Sequence, residues 1–206
     1  MGGVGISITG NVMVDYKALG SQNDVVIEDE RDLPLLENWA KAGTKNDTLL
    51  LMQINHPGKQ SPKDLSPTPV APSAIPMQGN VEAFFNPPRA LTETEILDLI
   101  KRFGNAAAIA EKAGFSGVQI HTAHGYLISQ FLSPHHNRRE DQWGGSLQNR
   151  MRFLLEIYHE IRRRTQPDFL VSVKLNSADF QKGGFSEEDS MQVIKTLDAS
   201  NQNIIR

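Results

Sequence analysis

Residues 114–153 read GFSGVQIHTAHGYLISQFLSPHHNRREDQWGGSLQNRMRF and are the most informative stretch of the chain. The β-prone run Val118–Ile120 predicts a strand, and His121, His124 and Tyr126 follow it directly. Two imidazoles and a phenol therefore lie together where a strand should end. This arrangement indicates a chemical site at the carboxyl end of a strand.

Strands and helices alternate along the rest of the sequence. Apolar periodicity predicts strands over 4–9, 48–54, 117–121 and 169–175, a strand beginning at 203–205, and helices over 31–42, 92–114, 146–164 and from 186 onward. We expect Gly10-Asn11 to break the first strand, and Thr92 with Glu95 to form a capping box. Residues 55–90 lack periodicity and contain eight of the eleven prolines, which predicts a long loop. The alternation predicts an α/β fold with parallel strands, and it leaves a barrel and an open doubly wound sheet as alternatives.

The composition is that of a globular protein with one sizeable core. The chain has 206 residues, of which 39% are hydrophobic and 22% charged, and its formal net charge is −3. These values predict one domain over 1–206 and no partnership with nucleic acid or a membrane surface. No apolar run reaches the roughly 18 residues of a transmembrane helix, and no secretory signal is visible, so we expect a cytoplasmic location. The absence of cysteine rules out disulfides and cysteine-ligated metal sites in this sequence.

The histidine pair has two other interpretations. A single histidine near a strand end is more often structural than catalytic. The pair could also bind a metal ion together with His135 and His136, although no carboxylate has a suitable spacing as a further ligand. We therefore predict no metal site, and the surrounding residues decide between a structural and a chemical role.

The whole stretch 114–153 closely resembles the Old Yellow Enzyme family of FMN-dependent NAD(P)H oxidoreductases. Beyond the histidines and the tyrosine, the residues that carry the resemblance are Asn137, Arg138, Asp141 and Trp143-Gly144-Gly145-Ser146. The resemblance implies a (β/α)8 TIM barrel, in which the active site lies at the carboxyl ends of the strands. We expect Arg138, Asp141 and the two glycines to organise the loop rather than to contact substrate.

The resemblance also implies a reaction, in which NADH or NADPH reduces FMN and the flavin then reduces an enone. His121 and His124 would donate hydrogen bonds to the carbonyl oxygen and stabilise the enolate that forms when hydride adds at the β-carbon. Tyr126 would protonate the α-carbon. The partner of the protein would be a small molecule, an α,β-unsaturated carbonyl compound.

Three further residues match positions where the family contacts FMN. Gln53, in a segment similar to the family's Gln-Leu-x-His-x-Gly-Arg, would bind the pyrimidine edge of the flavin. Lys174 stands where the family commonly has arginine near flavin N1 and O2, and its positive charge would favour the anionic reduced flavin. Asn11 would lie beside the ring at the end of the first strand. Lys59 replaces the family's usual arginine at a position that we expect to anchor a loop.

The resemblance covers almost the whole chain but only the second strand to the start of the sixth strand of the family's barrel. We therefore expect an incomplete barrel that lacks the first strand and the last two, whose loops hold the FMN phosphate. A truncated, inactive remnant without flavin is the alternative function. A second enzyme alternative is the iron–sulfur branch related to dienoyl-CoA reductases, against which the absence of cysteine counts. Self-association into a homo-oligomer stays open.

Overall fold

A six-stranded parallel sheet forms the centre of the computed structural model, which describes residues 3–200 and the backbone of 204–205. Its strands, in chain order, are β1 (Ile6–Met13), β2 (Val25–Val26), β3 (Leu49–Asn55), β6 (Gly117–Thr122), β7 (Leu170–Leu175) and β8 (Ile204–Ile205), while β4 (Val70–Ala71) and β5 (Arg89–Ala90) form a separate pair. The order across the sheet is β2-β1-β3-β6-β7-β8. The prediction of an α/β fold with parallel strands is confirmed. The strand predicted at 203–205 is present at Ile204–Ile205, and Asn203 lies outside the described residues.

Helices cover one face of the sheet. They are α1 (Leu33–Gly43), α2 (Glu93–Lys112), α3 (Leu127–Leu132), α4 (Leu147–Arg164) and α5 (Glu187–Ser200). The core packs Ile54 and Ile120 of the sheet with Phe103 of α2 and Phe153 of α4, all of them fully buried. Burying a side chain of this size stabilises the fold by about 1.5–3 kcal/mol. No helix in the described part of the chain is long and apolar enough to cross a membrane.

The predicted helix starts at Thr92 and Ser146 are confirmed, and one helix was missed. The Thr92 hydroxyl accepts from the backbone N–H of Glu95, whose carboxylate in turn accepts from the backbone N–H of Thr92. The Ser146 hydroxyl accepts from the backbone N–H of Asn149. The missed helix, α3, has six residues that are all buried. It therefore has no polar face from which helical periodicity could be recognised.

The predicted break of the first strand at Gly10-Asn11 is wrong. Strand β1 continues to Met13, and its register with β3 shifts between Ile8 and Asn11 as a β-bulge. At the bulge, the hydroxyl of Thr9 accepts the backbone N–H of Gln53 at 3.0 Å. A side chain thus satisfies a donor of the neighbouring strand where the ladder is irregular.

Residues 55–90 contain short 3₁₀ turns and the pair β4–β5. This segment is tied to the loop after α3 by Arg139, whose guanidinium donates to the carbonyl oxygens of Pro72 (3.0 Å) and Leu91 (2.6 Å). The backbone N–H of Arg138 donates to the Ser73 hydroxyl at 2.9 Å. The two long connections are therefore packed against each other at the carboxyl ends of β3 and β6.

Candidate active site

Two rows of side chains cross the sheet, one over β3, β6 and β7 and the other over β6 and β7. The register aligns Gln53 with Gln119 and Ser172, and it aligns His121 with Lys174 one step further along the strands. Residues two apart on a strand share a face, so both rows lie on the same side of the sheet. The site predicted from the sequence is therefore assembled by register, although its residues are more than 100 positions apart at the extremes.

Hydrogen bonds link the side chains of the first row. Nε2 of Gln53 donates to Oε1 of Gln119 at 2.6 Å, and Nε2 of Gln119 donates to the Ser172 hydroxyl at 3.3 Å. All three residues are buried. Because the Gln53 nitrogen is directed at Gln119, the carbonyl oxygen of Gln53 remains an acceptor for another group. Asn11 is the register partner of Gln53 on β1 and is half-buried.

His121, His124 and Tyr126 form an aromatic cluster at the end of β6. The ring of His121 contacts His124 with a centroid separation of 5.1 Å and Tyr126 with one of 4.9 Å, both edge to face. His121 is buried, Tyr126 is half-buried and His124 is exposed. The cluster thus has one inner imidazole, His121, and two outer groups, His124 and Tyr126.

The backbone holds His124 in an unusual conformation. Its φ of 60° lies in the left-handed region, which disfavours residues with a side chain. The carboxamide oxygen of Asn176 accepts its N–H at 3.1 Å, and Nε2 of Gln60 donates to its carbonyl oxygen at 2.8 Å. Loops that follow β3 and β7 therefore fix the direction of the His124 side chain.

His121 is a neutral hydrogen-bond donor. Its Nδ1 accepts the backbone N–H of Ala123 at 3.3 Å, so the proton of the neutral ring is on Nε2. Burial lowers the pKa of His121 to about 4, and the charges of Lys174 and His124 contribute in the same direction. At neutral pH the ring can donate one hydrogen bond to an oxygen without bringing a charge into the site.

The structure thus brings all six predicted site residues to one region of the sheet, and it adds three that the sequence interpretation missed. Gln119 and Ser172 are polar residues inside buried strands, two positions before His121 and Lys174, and this placement was a usable signal. Asn176 gave no such signal because its role depends on a contact 52 positions away.

The loop after α3 is organised largely as expected. Nδ2 of Asn137 donates to the carbonyl oxygens of Phe131 and Trp143, both at 2.8 Å. Asp141 pairs with Arg139, and a Cβ at Gly144 would lie 2.4 Å from the Arg139 carbonyl oxygen. Arg139, rather than Arg138, is the arginine that ties this loop together.

The donor set fits a flavin edge. The buried Gln53 offers a carboxamide oxygen whose direction is fixed by Gln119, and Lys174 offers a positive charge in the adjacent row. A flavin ring presents an imide N–H and carbonyl oxygens, which these groups complement.

Comparisons with known proteins agree with this geometry. The family model of the NADH:flavin oxidoreductase / NADH oxidase family matches residues 1–206. The NADH-dependent flavin oxidoreductase nadA of Aspergillus parasiticus is 39% identical over 204 residues, which cover 96% of this chain and 46% of that protein.

Two solved structures share the fold. A 2-naphthoyl-CoA reductase in complex with 2-naphthoyl-CoA has a TM-score of 0.90 and 30% identity, covering 96% of this chain and 31% of that one. The Old Yellow Enzyme homologue of Zymomonas mobilis has a TM-score of 0.82 and 27% identity, covering 94% and 57%. The chain spans about half or less of the first two of these proteins and 57% of the third, so its sheet corresponds to an incomplete barrel. It belongs to the NADH:flavin oxidoreductase / NADH oxidase family, with the Old Yellow Enzyme fold.

Proposed function

We propose that the protein is an FMN-dependent NAD(P)H oxidoreductase that reduces the activated C=C bond of α,β-unsaturated carbonyl compounds. The observation that carries this proposal is the neutral, buried His121 beside His124 and Tyr126, on the same face of the sheet as Gln53 and Lys174. The family and the name of the A. parasiticus relative support a flavin and a nicotinamide reductant.

The side chains divide the reaction between them. Nε2–H of His121 and the imidazole of His124 donate hydrogen bonds to the carbonyl oxygen, where negative charge develops. Bound FMN would supply the hydride that adds to the β-carbon. The Tyr126 hydroxyl gives its proton to the α-carbon, so that one hydride and one proton have been added across the double bond. The phenolate then regains a proton from solvent.

The remaining residues bind the cofactor in this proposal. Gln53 accepts from the flavin imide N–H, and Lys174 stabilises negative charge on the pyrimidine side of the ring. Asn11, which follows the bulge in β1 and is the register partner of Gln53, would lie beside the ring. Gln53 on β3 and Lys174 on β7 lie in adjacent rows on the same face of the sheet, so both groups can act on one ring that lies across β6.

The test compares the 206-residue chain with a chimera in which it replaces the matching 204 residues of the A. parasiticus relative. Each protein is mixed with FMN and NADH without oxygen, and the reduction of 2-cyclohexen-1-one is followed. We expect enone reduction by the chimera, and its loss in a Tyr126→Phe chimera in which NADH still reduces the bound FMN. A chimera that binds FMN but reduces no enone would contradict the proposed reaction. Failure of the chimera to bind FMN would favour the alternative that the protein is an inactive remnant, which has the fold of the family but binds no flavin.

A further inference from the structure

The protein has a cavity of about 600 Å³ whose lining contains none of the six candidate site residues. It lies between loops that follow β3, α3 and β7, and residues 75–78 form a further wall. Its charged and imidazole groups are Lys59, His135, His136 and Arg138. No acidic side chain of the described residues lines it, although the chain as a whole has a net charge of −3. The cavity is large enough for a small organic ligand.

Lys59 is a buried cation without a counter-charge. Its ammonium donates to the carbonyl oxygens of Ile75 (2.9 Å) and Pro76 (3.5 Å), and it lies 3.1 Å from Nδ1 of His136. Only 2% of the residue is exposed, and within the described part of the chain no carboxylate forms an ion pair with it. Burial lowers the pKa of Lys59 to about 8. A charge in this position is costly unless an anion compensates it.

The two histidines add unused hydrogen-bonding capacity. Since Nδ1 of His136 faces the Lys59 ammonium, the neutral ring has its proton on Nε2 and can donate there. Burial, together with the charge of Lys59, lowers the pKa of His136 to about 4, so the ring is neutral at pH 7. Nε2 of His135 is buried and has no hydrogen-bond partner in the protein.

The nearby carboxylate, that of Asp179, already accepts hydrogen bonds from other groups. Asp179, whose charge reaches His136, accepts from the Ser133 hydroxyl at 2.5 Å and from the backbone N–H of Phe185 at 2.8 Å. It therefore stabilises the loop after β7 instead of compensating Lys59. The cavity is left with a positive charge, free imidazole nitrogens and the exposed guanidinium of Arg138.

We propose that this cavity binds the phosphorylated adenosine portion of a ligand. Arg138 and the imidazoles of His135 and His136 hold a phosphate group, because a guanidinium fork is well suited to phosphate oxygens. The buried ammonium of Lys59 compensates the negative charge of that phosphate. The apolar wall of residues 75–77 covers the adenine ring. Two molecules share this chemistry: a nicotinamide dinucleotide phosphate, with its phosphate at the ribose 2′ position, and coenzyme A, with its phosphate at the 3′ position.

The test uses the complete 206-residue chain and needs no flavin, so its result is independent of the proposed reaction. Isothermal titration measures the binding of adenosine 2′,5′-bisphosphate and, separately, of adenosine 3′,5′-bisphosphate. We expect at least one to bind with a Kd below about 1 mM. Arg138→Gln and His135→Ala should each weaken that binding roughly tenfold, as expected for a lost charge-assisted hydrogen bond. The tighter probe identifies the source of the phosphate, and equal affinities mean that the site recognises the group in either position.

Lys182→Gln is the matched control, because it removes one positive charge from an exposed position in the loop after β7. It should leave the affinity unchanged. Lys59 is not substituted, since its contacts with Ile75 and Pro76 hold the cavity wall. Absence of binding by both probes overturns the proposal. So does binding that Arg138→Gln and His135→Ala leave unchanged, or that Lys182→Gln weakens equally.

Discussion

Replacing Asn176 by alanine should destabilise the left-handed backbone conformation of His124. The left-handed conformation at His124 costs about 1–2 kcal/mol for a residue with a side chain, and the carboxamide of Asn176 opposes that cost by accepting the His124 N–H at 3.1 Å. A hydrogen bond of this kind contributes about 1 kcal/mol. The second contact of Asn176, from its Nδ2 to the Ser129 hydroxyl, is long at 3.4 Å and adds little.

The expected loss is thus about 1–1.4 kcal/mol of local stability, which corresponds to roughly fivefold to tenfold faster exchange of the His124 amide hydrogen. Native-state hydrogen exchange read by NMR measures it residue by residue in the 206-residue chain. Asn176→Asp keeps an acceptor oxygen and should restore most of the protection. In the chimera, Asn176→Ala should also weaken the binding of a phenol, because His124 would no longer be held in place.

Asn105→Ala supplies the control for this experiment. Asn105 is a partly buried asparagine on α2 that donates to the Glu28 carbonyl oxygen at 2.6 Å, away from β6. Its replacement should leave the exchange of the His124 amide unchanged. Equal protection of that amide in Asn176→Ala and in the unmodified chain would show that the left-handed backbone is held by other contacts, and the positioning role of Asn176 would be wrong.

Three further outcomes follow from the site. In the chimera, Tyr126→Phe should slow enone reduction by about 10²–10⁴-fold and leave flavin reduction by NADH nearly intact in stopped-flow traces; equal losses in both half-reactions would contradict the proton-donor role. Replacing His121 and His124 together by alanine should abolish the long-wavelength charge-transfer band of bound phenol, and a retained band with unchanged phenol affinity would make both residues structural. The stability of the 206-residue chain should decrease as the pH falls below about 6.5, because burial lowers the pKa of His121, of His56 and of His136 from 6.5 to about 4, so the unfolded chain binds protons that the folded chain excludes. Each such histidine contributes up to about 1.4 kcal/mol per pH unit between these values, and urea unfolding at pH 5 and pH 7 that gives equal free energies would show that these rings are not held neutral by the fold.

Local chemistry made much of the fold predictable. The capping box of Thr92 and Glu95 and the cap at Ser146 act within one helical turn, so the sequence contains all their partners. The strand around Val118 is buried on both faces, and the strand around Val171 is half-buried to buried with mostly apolar residues, so both could be recognised in the sequence. The pattern identified the helix caps whose partners lie within one helical turn.

The features that the sequence pattern missed depend on tertiary contacts. The pair β4–β5 has two residues per strand and joins positions 19 apart, which leaves no periodicity to detect. Strand β1 passes through Gly10-Asn11 because β3 lies beside it and Thr9 satisfies a donor at the bulge. For the candidate site, the motif predicted His121, His124 and Tyr126, whereas the register that pairs His121 with Lys174 and Gln53 with Gln119 exists only in the assembled sheet.

The register also explains how two residues on different strands determine one property of the site. Lys174 is the partner of His121 across β6 and β7, and its charge helps to keep that imidazole neutral. A neutral ring with Nδ1 occupied by the Ala123 N–H can present only Nε2–H, which makes His121 a donor with a fixed direction. The same ammonium would attract a flavin as it gains negative charge. In the proposed reaction, Lys174 therefore has two effects. It favours the reduced cofactor, and it keeps the carbonyl-binding His121 in its donor form.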